Sequence, residues 1–415
     1  MTKLSFALAA CLAGALTASA ADYTLHSFKK TTVTKEFLCE GANFGDFNHD
    51  GKMDLEAGPY WFEGPDFTKR HEFAPPAAKP YDPKGYSDYF LSFVYDFNND
   101  GWPDILVYSW PGKETAWYEN PKNKDGHWLR HVIFAVTDNE SPQLGDMNGD
   151  GKPELICHTD GYLGYAEADW SDPTKPWTFH RISPKGEWQR YTHGYGFGDV
   201  NGDGRMDILE KDGWWEQPAS LVGDPVWVKH PANFGAGGAQ MYVYDVNGDG
   251  LPDVITSLAA HGYGLAWYEQ VREKGEITFR EHIIMNSKPE DNKYGVKFSQ
   301  LHAIDLVDMN GDGLKDIVTG KRYWAHGPTG DAEPAAPAVL YWFQLVRNKD
   351  KSVDWVPHLI DDDSGVGTQV TAGKVSGGKL PDVVVGNKKG LFFFQHETKK
   401  VSKAEWEKAQ LKPVQ

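Results

Sequence analysis

The stretch Asp199-Val200-Asn201-Gly202-Asp203-Gly204-Arg205-Met206-Asp207 sets oxygen side chains at positions 1, 3, 5 and 9, with glycine at position 6. Alternating carboxylates and an Asn amide can turn inward on one hard cation, and the glycine permits the sharp turn. Oxygen ligands at this acid content favour Ca²⁺ over Zn²⁺. The flanks, Gly-Tyr-Gly-Phe-Gly before and Ile208-Leu209 after, read as strands. The loop therefore belongs to a β-hairpin and not to an EF-hand, whose last ligand comes at position 12 on a helix.

The same spacing recurs. The other ligand sets are Asp46, Asn48, Asp50, Asp54; Asp96, Asn98, Asp100, Asp104; and Asp146, Asn148, Asp150, Glu154. After Asp199, Asn201, Asp203, Asp207 come Asp245, Asn247, Asp249, Asp253 and then Asp308, Asn310, Asp312, Asp316. A seventh place, residues 373–382, keeps the rhythm but lacks the ligands. About six structural Ca²⁺ ions are expected, because plain Asx-rich turns would not call for an acid at position 9 each time.

Superposing the repeats on these loops exposes a second chemistry. Six residues before the first loop acid stand Glu40, Phe90, Glu140, His193, Ala239, His302 and Thr368, and the next position adds Gln240 and Gln369. Six residues span roughly 20 Å of strand, so these side chains belong to the mouth opposite the calcium loops. The hairpin returns to that mouth with His158, Asp160, Lys211, Lys321, Arg322 and Lys388, and His261 lies just beyond. His193, His302, His158 and His261 with Glu could hold one transition metal, Zn²⁺ or Mn²⁺, and leave a position open for water or substrate. Alternatively a His acts as general base, with Lys211, Lys321 or Arg322 stabilising a carboxylate or enolate-like anion. Glu40, Glu140, Gln240, Gln369, Asp160 and Lys388 would then bind substrate. The plain alternative is a wet polar channel whose histidines are satisfied by water and backbone.

The elements that must carry these groups also repeat. An aromatic pair followed by an acid or amide recurs as Trp61-Phe62-Glu63, Trp117-Tyr118-Glu119, Trp214-Trp215-Glu216, Trp267-Tyr268-Glu269, Trp342-Phe343-Gln344 and Phe393-Phe394-Gln395. A short strand with one His follows, at His71, His131, His180, His230, His282 and His358. A further copy, residues 23–28 with His26, precedes the first loop. Each repeat thus reads strand, loop, strand, aromatic strand, His strand. A displaced fourth strand at the start completes the last unit and closes a ring, which removes open edges. The expected fold is all-β, a seven-bladed β-propeller of four-stranded blades over residues 21–400. The connection between Arg322 and Tyr341 is an insertion on one face, and residues 401–415 form a tail with a short helix.

Lys3, the apolar run over residues 4–16 and Ala18-Ser19-Ala20 form a cleavable signal peptide at 1–20. Export, to the periplasm or the outside, is the expectation, with no other stretch long enough to span a membrane. Only Cys39 and Cys157 remain after cleavage, in different repeats, and they read as two buried thiols. The formal charge of −17 is largely the loops, and six bound Ca²⁺ would cancel about twelve of those charges. That balance points away from nucleic acid.

The D-x-N-x-D-G-x-x-D loops between short strands resemble the FG-GAP/VCBS repeat family over nearly the whole mature chain. The resemblance implies the propeller and the calcium. The family includes adhesion propellers, polysaccharide lyases and the propeller domain of aldos-2-ulose dehydratase. It thereby implies a carbohydrate partner and a lyase or dehydratase working by β-elimination on a keto-sugar or uronate glycan. A non-catalytic binding or adhesion propeller, using rim aromatics such as Tyr60, Trp110 and Tyr263, is the alternative.

Overall fold

The computed structural model describes residues 23–414, so the signal segment at 1–20 lies outside the described residues. The described residues are all-β apart from single-turn 3-10 segments and one helix, Lys403–Ala409, whose Ser402 and Glu405 form a reciprocal capping box. The described strands form five sheets, of four, seven, eight, four and four strands, built from successive antiparallel meanders. Two features merge neighbouring meanders. The long strand Leu129–Gly145 pairs with Lys113–Glu119 through one half and with Glu154–Thr159 through the other. Tyr195–Gly198 and Gln240–Tyr244 pair in parallel.

The second strand of each unit is a short apolar run after the loop, and it is buried on both faces, as in Asp104–Tyr108 and Asp253–Ser257. Its neighbour carries the aromatic pair. The His of the fourth strand lies across from the first aromatic: His71 opposite Trp61, His230 opposite Trp214, His282 opposite Trp267. The rings stack at 3.9, 4.1 and 4.3 Å, and each His Nε2 meets the following Glu at 3.0, 2.7 and 2.8 Å. These histidines are spoken for by the frame.

Hydrophobic burial runs between units rather than within them. Leu106 and Trp117 pack with Leu155 and Trp177, and Ile156 and Tyr165 with Ile208 and Trp215. Leu209 and Trp214 pack with Val254 and Tyr268, and Ile255 and Trp267 with Ile317 and Phe343. The last unit meets the first through Val384 and Phe393 against Leu55 and Phe62, so the contact order is circular. The N-terminal strand Tyr23–Thr34 completes the last sheet by pairing with Gly390–Val401.

That strand departs from expectation in register. Thr31, not His26, stands opposite Phe393, and His26 faces Thr398 and bonds His396 at 2.9 Å. His26 is therefore not a seventh member of the stacked set. Cys39 and Cys157 are free and buried. The first strands of the units line a cavity of about 380 Å³ that includes Gln143, Phe197, Gln240, Ile304 and Gln369.

Candidate functional site

The loops occupy one end of the hairpins. In the first, both Asp46 oxygens accept backbone N–H groups, from Asp50 and Gly51, and Asn48 accepts a second bond from Asp50. The position-9 acid is different. Asp54 is fully buried, and its two oxygens accept the N–H groups of Phe47 and Gly64, tying the loop to the third strand. Asp104, Asp207, Asp253 and Asp316 make the same pair of bonds. So does Asp382 in the seventh loop, which has no other ligand. The position-9 acid thus has a structural task without calcium, and its recurrence does not by itself discriminate a cation site from a turn. Positions 1, 3 and 5 stay on the surface with oxygens that suit a hard cation, and Asp150, Glu154 and Glu167 bring three carboxylates within 4.8 Å of one another.

At the opposite ends of the hairpins several polar side chains converge. His193 and His302 precede the strands Tyr195–Gly198 and Ile304–Val307, and His261 lies between Asp253–Ser257 and Leu265–Glu273. His193 Nε2 is 2.8 Å from His261 Nε2, and the His302 ring centroid is 5.2 and 4.5 Å from theirs. His302 is 2% exposed, and both of its ring nitrogens lack a partner. Buried polar atoms are nearly always satisfied, so these two nitrogens are candidates for bonding a ligand. Three imidazoles this close together could turn nitrogen ligands on a transition metal with an open position.

Charged groups flank the histidines. Arg322, 1% exposed, bonds Glu40 at 2.9 Å and lies 3.6 Å from Glu140, which is 4.0 Å from His193 Nδ1. Lys388 Nζ is 3.9 Å from Glu40 and sits 4.3 Å above the Tyr86 ring. Lys321 Nζ donates to Ser299 Oγ at 2.9 Å. Burial lowers the pKa of both lysines to about 8 and raises that of Glu140 to about 7. Burial, then the neighbouring His261 and Arg322, holds His193 at about 3; burial, then Arg322 and His261, holds His302 well below its usual value. Both imidazoles are neutral, the form that binds a metal.

Gln300 fixes this arrangement from a left-handed backbone, φ 61°. Its N–H bonds Gly262, next to His261, and its carbonyl accepts the N–H groups of His302 and Arg322. Its amide holds Ala325 and Ala332 of the insertion. A bulky residue in this conformation is costly and persists where surrounding bonds over-determine it.

The remaining sequence candidates lie apart from the cluster. His158 is fully buried against Tyr195, with Asn139 as its neighbour at 3.4 Å. Lys211 pairs with Asp212, and Asp160 is an exposed partner of Lys185. Gln240 accepts from Ile304 N and donates to Thr368 O, and Gln369 bonds both backbone groups of Ser92. These amides lace units together across the channel. Conversely, Tyr86, Gln300, His326 and Asp331 border the centre without having been singled out. They lie in irregular connections that no repeat aligns; the excess length of the 322–341 segment was the available signal.

No curated protein matches the chain. An Agrocybe aegerita lectin, solved for its recognition of non-reducing terminal N-acetylglucosamine, is 15% identical at TM-score 0.43, covering 82% of this chain and 81% of its own. Rhamnogalacturonan lyase YesW is 12% identical at TM-score 0.41, covering 89% of this chain and 72% of its own. Residues 96–157 and 245–319 match the FG-GAP-like repeat. Over those two stretches the chain is similar to the FG-GAP-like repeat.

Proposed function

We propose that the chain is an exported, calcium-stabilised seven-bladed β-propeller that acts on carbohydrate by β-elimination at the trihistidine mouth. The observation that carries this reading is His302, buried with two unpartnered nitrogens beside His193, His261 and a buried Arg322. The circular contact order supports the closed propeller. Asp46, Asn48, Asp50, Asp54 and their five counterpart sets would hold Ca²⁺ as fixed structural charges.

β-Elimination removes a proton next to a carbonyl or carboxylate, forms a C=C bond and breaks the C–O bond one carbon further on. The leaving oxygen takes up a proton. The negative charge that develops on the carbonyl or carboxylate oxygen needs fixed positive charge, which Arg322, Lys388 and Lys321 offer from a buried setting where it acts strongly. A neutral imidazole of the centre is the candidate base. In the alternative, His193, His261 and His302 would hold Zn²⁺ or Mn²⁺, whose chemistry there would be Lewis-acid polarisation of the substrate oxygen. A uronate or keto-sugar has the acidic C–H, the anionic oxygen and the β-leaving group that this set addresses.

The test is to incubate the purified protein with uronate-containing oligosaccharides and keto-sugars and follow ultraviolet absorbance of the unsaturated product. Product from the wild type and none from His302→Ala supports the reading. Tight glycan binding without any unsaturated product favours the second reading, a binding propeller. That reading has its own observation: Tyr86, Trp110 and the exposed Tyr191 form a run of rings, at 4.1 and 5.7 Å, leading to Lys388.

A further inference from the structure

The insertion between the strands Asp316–Gly320 and Leu340–Arg347 crosses next to the trihistidine centre and contributes a carboxylate to it. Asp331 is on this surface segment, yet its side chain is only 3% exposed. Oδ2 accepts the His326 backbone N–H at 2.8 Å, and Oδ1 faces His326 Nδ1 at 2.8 Å and His261 Nδ1 at 3.3 Å. The buried His261 Nδ1 makes no hydrogen bond among the described residues, and the carboxylate of Asp331 is the charged group set against it.

We propose that Asp331 is a positioning residue that fixes His261 in its Nδ1–H tautomer and so presents the Nε2 lone pair to the trihistidine centre. This rests on the reading of His193, His261 and His302 as a ligand-binding centre. An ionised carboxylate only accepts, so the ring nitrogen that faces it carries the proton. The other nitrogen is then an acceptor, and it is His261 Nε2 that lies 2.8 Å from His193 Nε2. The opposite tautomer would turn an N–H into the centre and take one lone pair away.

The segment is held in place by bonds that do not involve Asp331. Ala332 O accepts from Ser299 Oγ at 2.7 Å and Gln300 Nε2 at 3.2 Å, and Glu333 pairs with Lys297 at 2.7 Å. Removing the carboxylate therefore leaves the segment anchored. A group that orients a metal-binding imidazole through its second nitrogen changes metal affinity by 10–100-fold when removed, on the order seen for such partners. His326 shares Asp331 and also packs on the His261 ring, with centroids 4.4 Å apart, so its loss removes a ring contact but leaves the carboxylate facing His261 Nδ1.

Two measurements on the full chain test this. Nitrogen NMR of ¹⁵N-histidine-labelled, metal-free protein reads the tautomer directly: a proton on His261 Nδ1 is expected, and a proton on Nε2 overturns the proposal. Titration with Co²⁺ alone, followed by visible absorption, compares variants. Asp331→Ala should weaken binding roughly 10–100-fold. Asp331→Asn, which keeps one acceptor oxygen, should recover part of that loss, and His326→Ala should weaken binding less than Asp331→Ala does. Asp331→Ala binding as tightly as wild type overturns the proposal, as does His326→Ala weakening it equally. If Asp331→Ala does not fold, the wild-type tautomer decides. Neither readout needs turnover, so a substrate screen that yields no product leaves this inference standing or falling on its own.

Discussion

Asp382 isolates the structural role of the position-9 acid, because its loop has no other cation ligand. Its side chain is fully buried, with Oδ2 accepting from Ser376 N at 2.6 Å and Oδ1 from His396 N at 2.8 Å. Asp382→Ala removes both acceptors. A bond to a charged group is worth about 1.5–3 kcal/mol, and a buried donor left alone costs about 1–3 kcal/mol. Ser376 is exposed and water replaces part of its bond, whereas the His396 N–H is shielded between strands. The expected loss is thus about 2–4 kcal/mol, with about half of it for Asp382→Asn, which keeps one oxygen. Urea unfolding followed by tryptophan fluorescence reads the loss as a shifted midpoint. The shift should be the same in calcium and in excess EDTA. A loss under about 0.5 kcal/mol, the level of an ordinary surface substitution, refutes the clamp. A loss that appears only in calcium refutes its independence of the cation.

Three further outcomes follow from the same physics. Excess EDTA should lower the melting temperature of the wild type substantially, since cation binding adds to folding free energy; an unchanged melt counts against the six calcium loops. Burial lowers His158 to about 3 and, with a like-charged His neighbour as the second cause, His26 and His358 to about 4. These rings are neutral when folded and gain protons on unfolding below pH about 6.5, so their stabilisation is full above that value and is lost as pH falls toward 4 and then 3. For His158 the loss is on the order of 5 kcal/mol by pH 3, and His158→Leu should flatten the acid slope of unfolding free energy; an unaltered slope contradicts it. Gln240→Ala strands Ile304 N–H and Thr368 C=O and should cost about 1–3 kcal/mol with KM unchanged; a raised KM at unchanged stability would return Gln240 to the substrate.

Counting back six residues from each loop acid placed Glu40, Glu140, His193 and His302 together because one loop fixes the register of every first strand. The second strand was less legible. Side chains alternate faces along it, so a group four residues past the position-9 acid, His158, still lies inside the strand and turns to the core. Arg322 and Lys388 lie six past it, beyond or at the strand end, and reach the centre. His26 misled for a related reason. Its strand joins from the far end of the chain, no hairpin turn sets its register, and packing shifts Thr31 opposite Phe393. Asp331 and His326 had no repeat to be superposed on, and their role depends on how the insertion returns across the centre.

The central claim is that one particular histidine cluster, and not the polar channel at large, is where the protein acts. His302 and His158 are both buried, but only His302 joins the cluster. The direct measurement is kcat/KM of His302→Gln and His158→Gln on the sugar that gives the strongest unsaturated-product signal. A positioned acid or base is worth about 10²–10⁴ in rate, so His302→Gln should lose at least about a hundredfold and His158→Gln no more than about threefold. Equal losses, or a loss confined to His158→Gln, would contradict the trihistidine site.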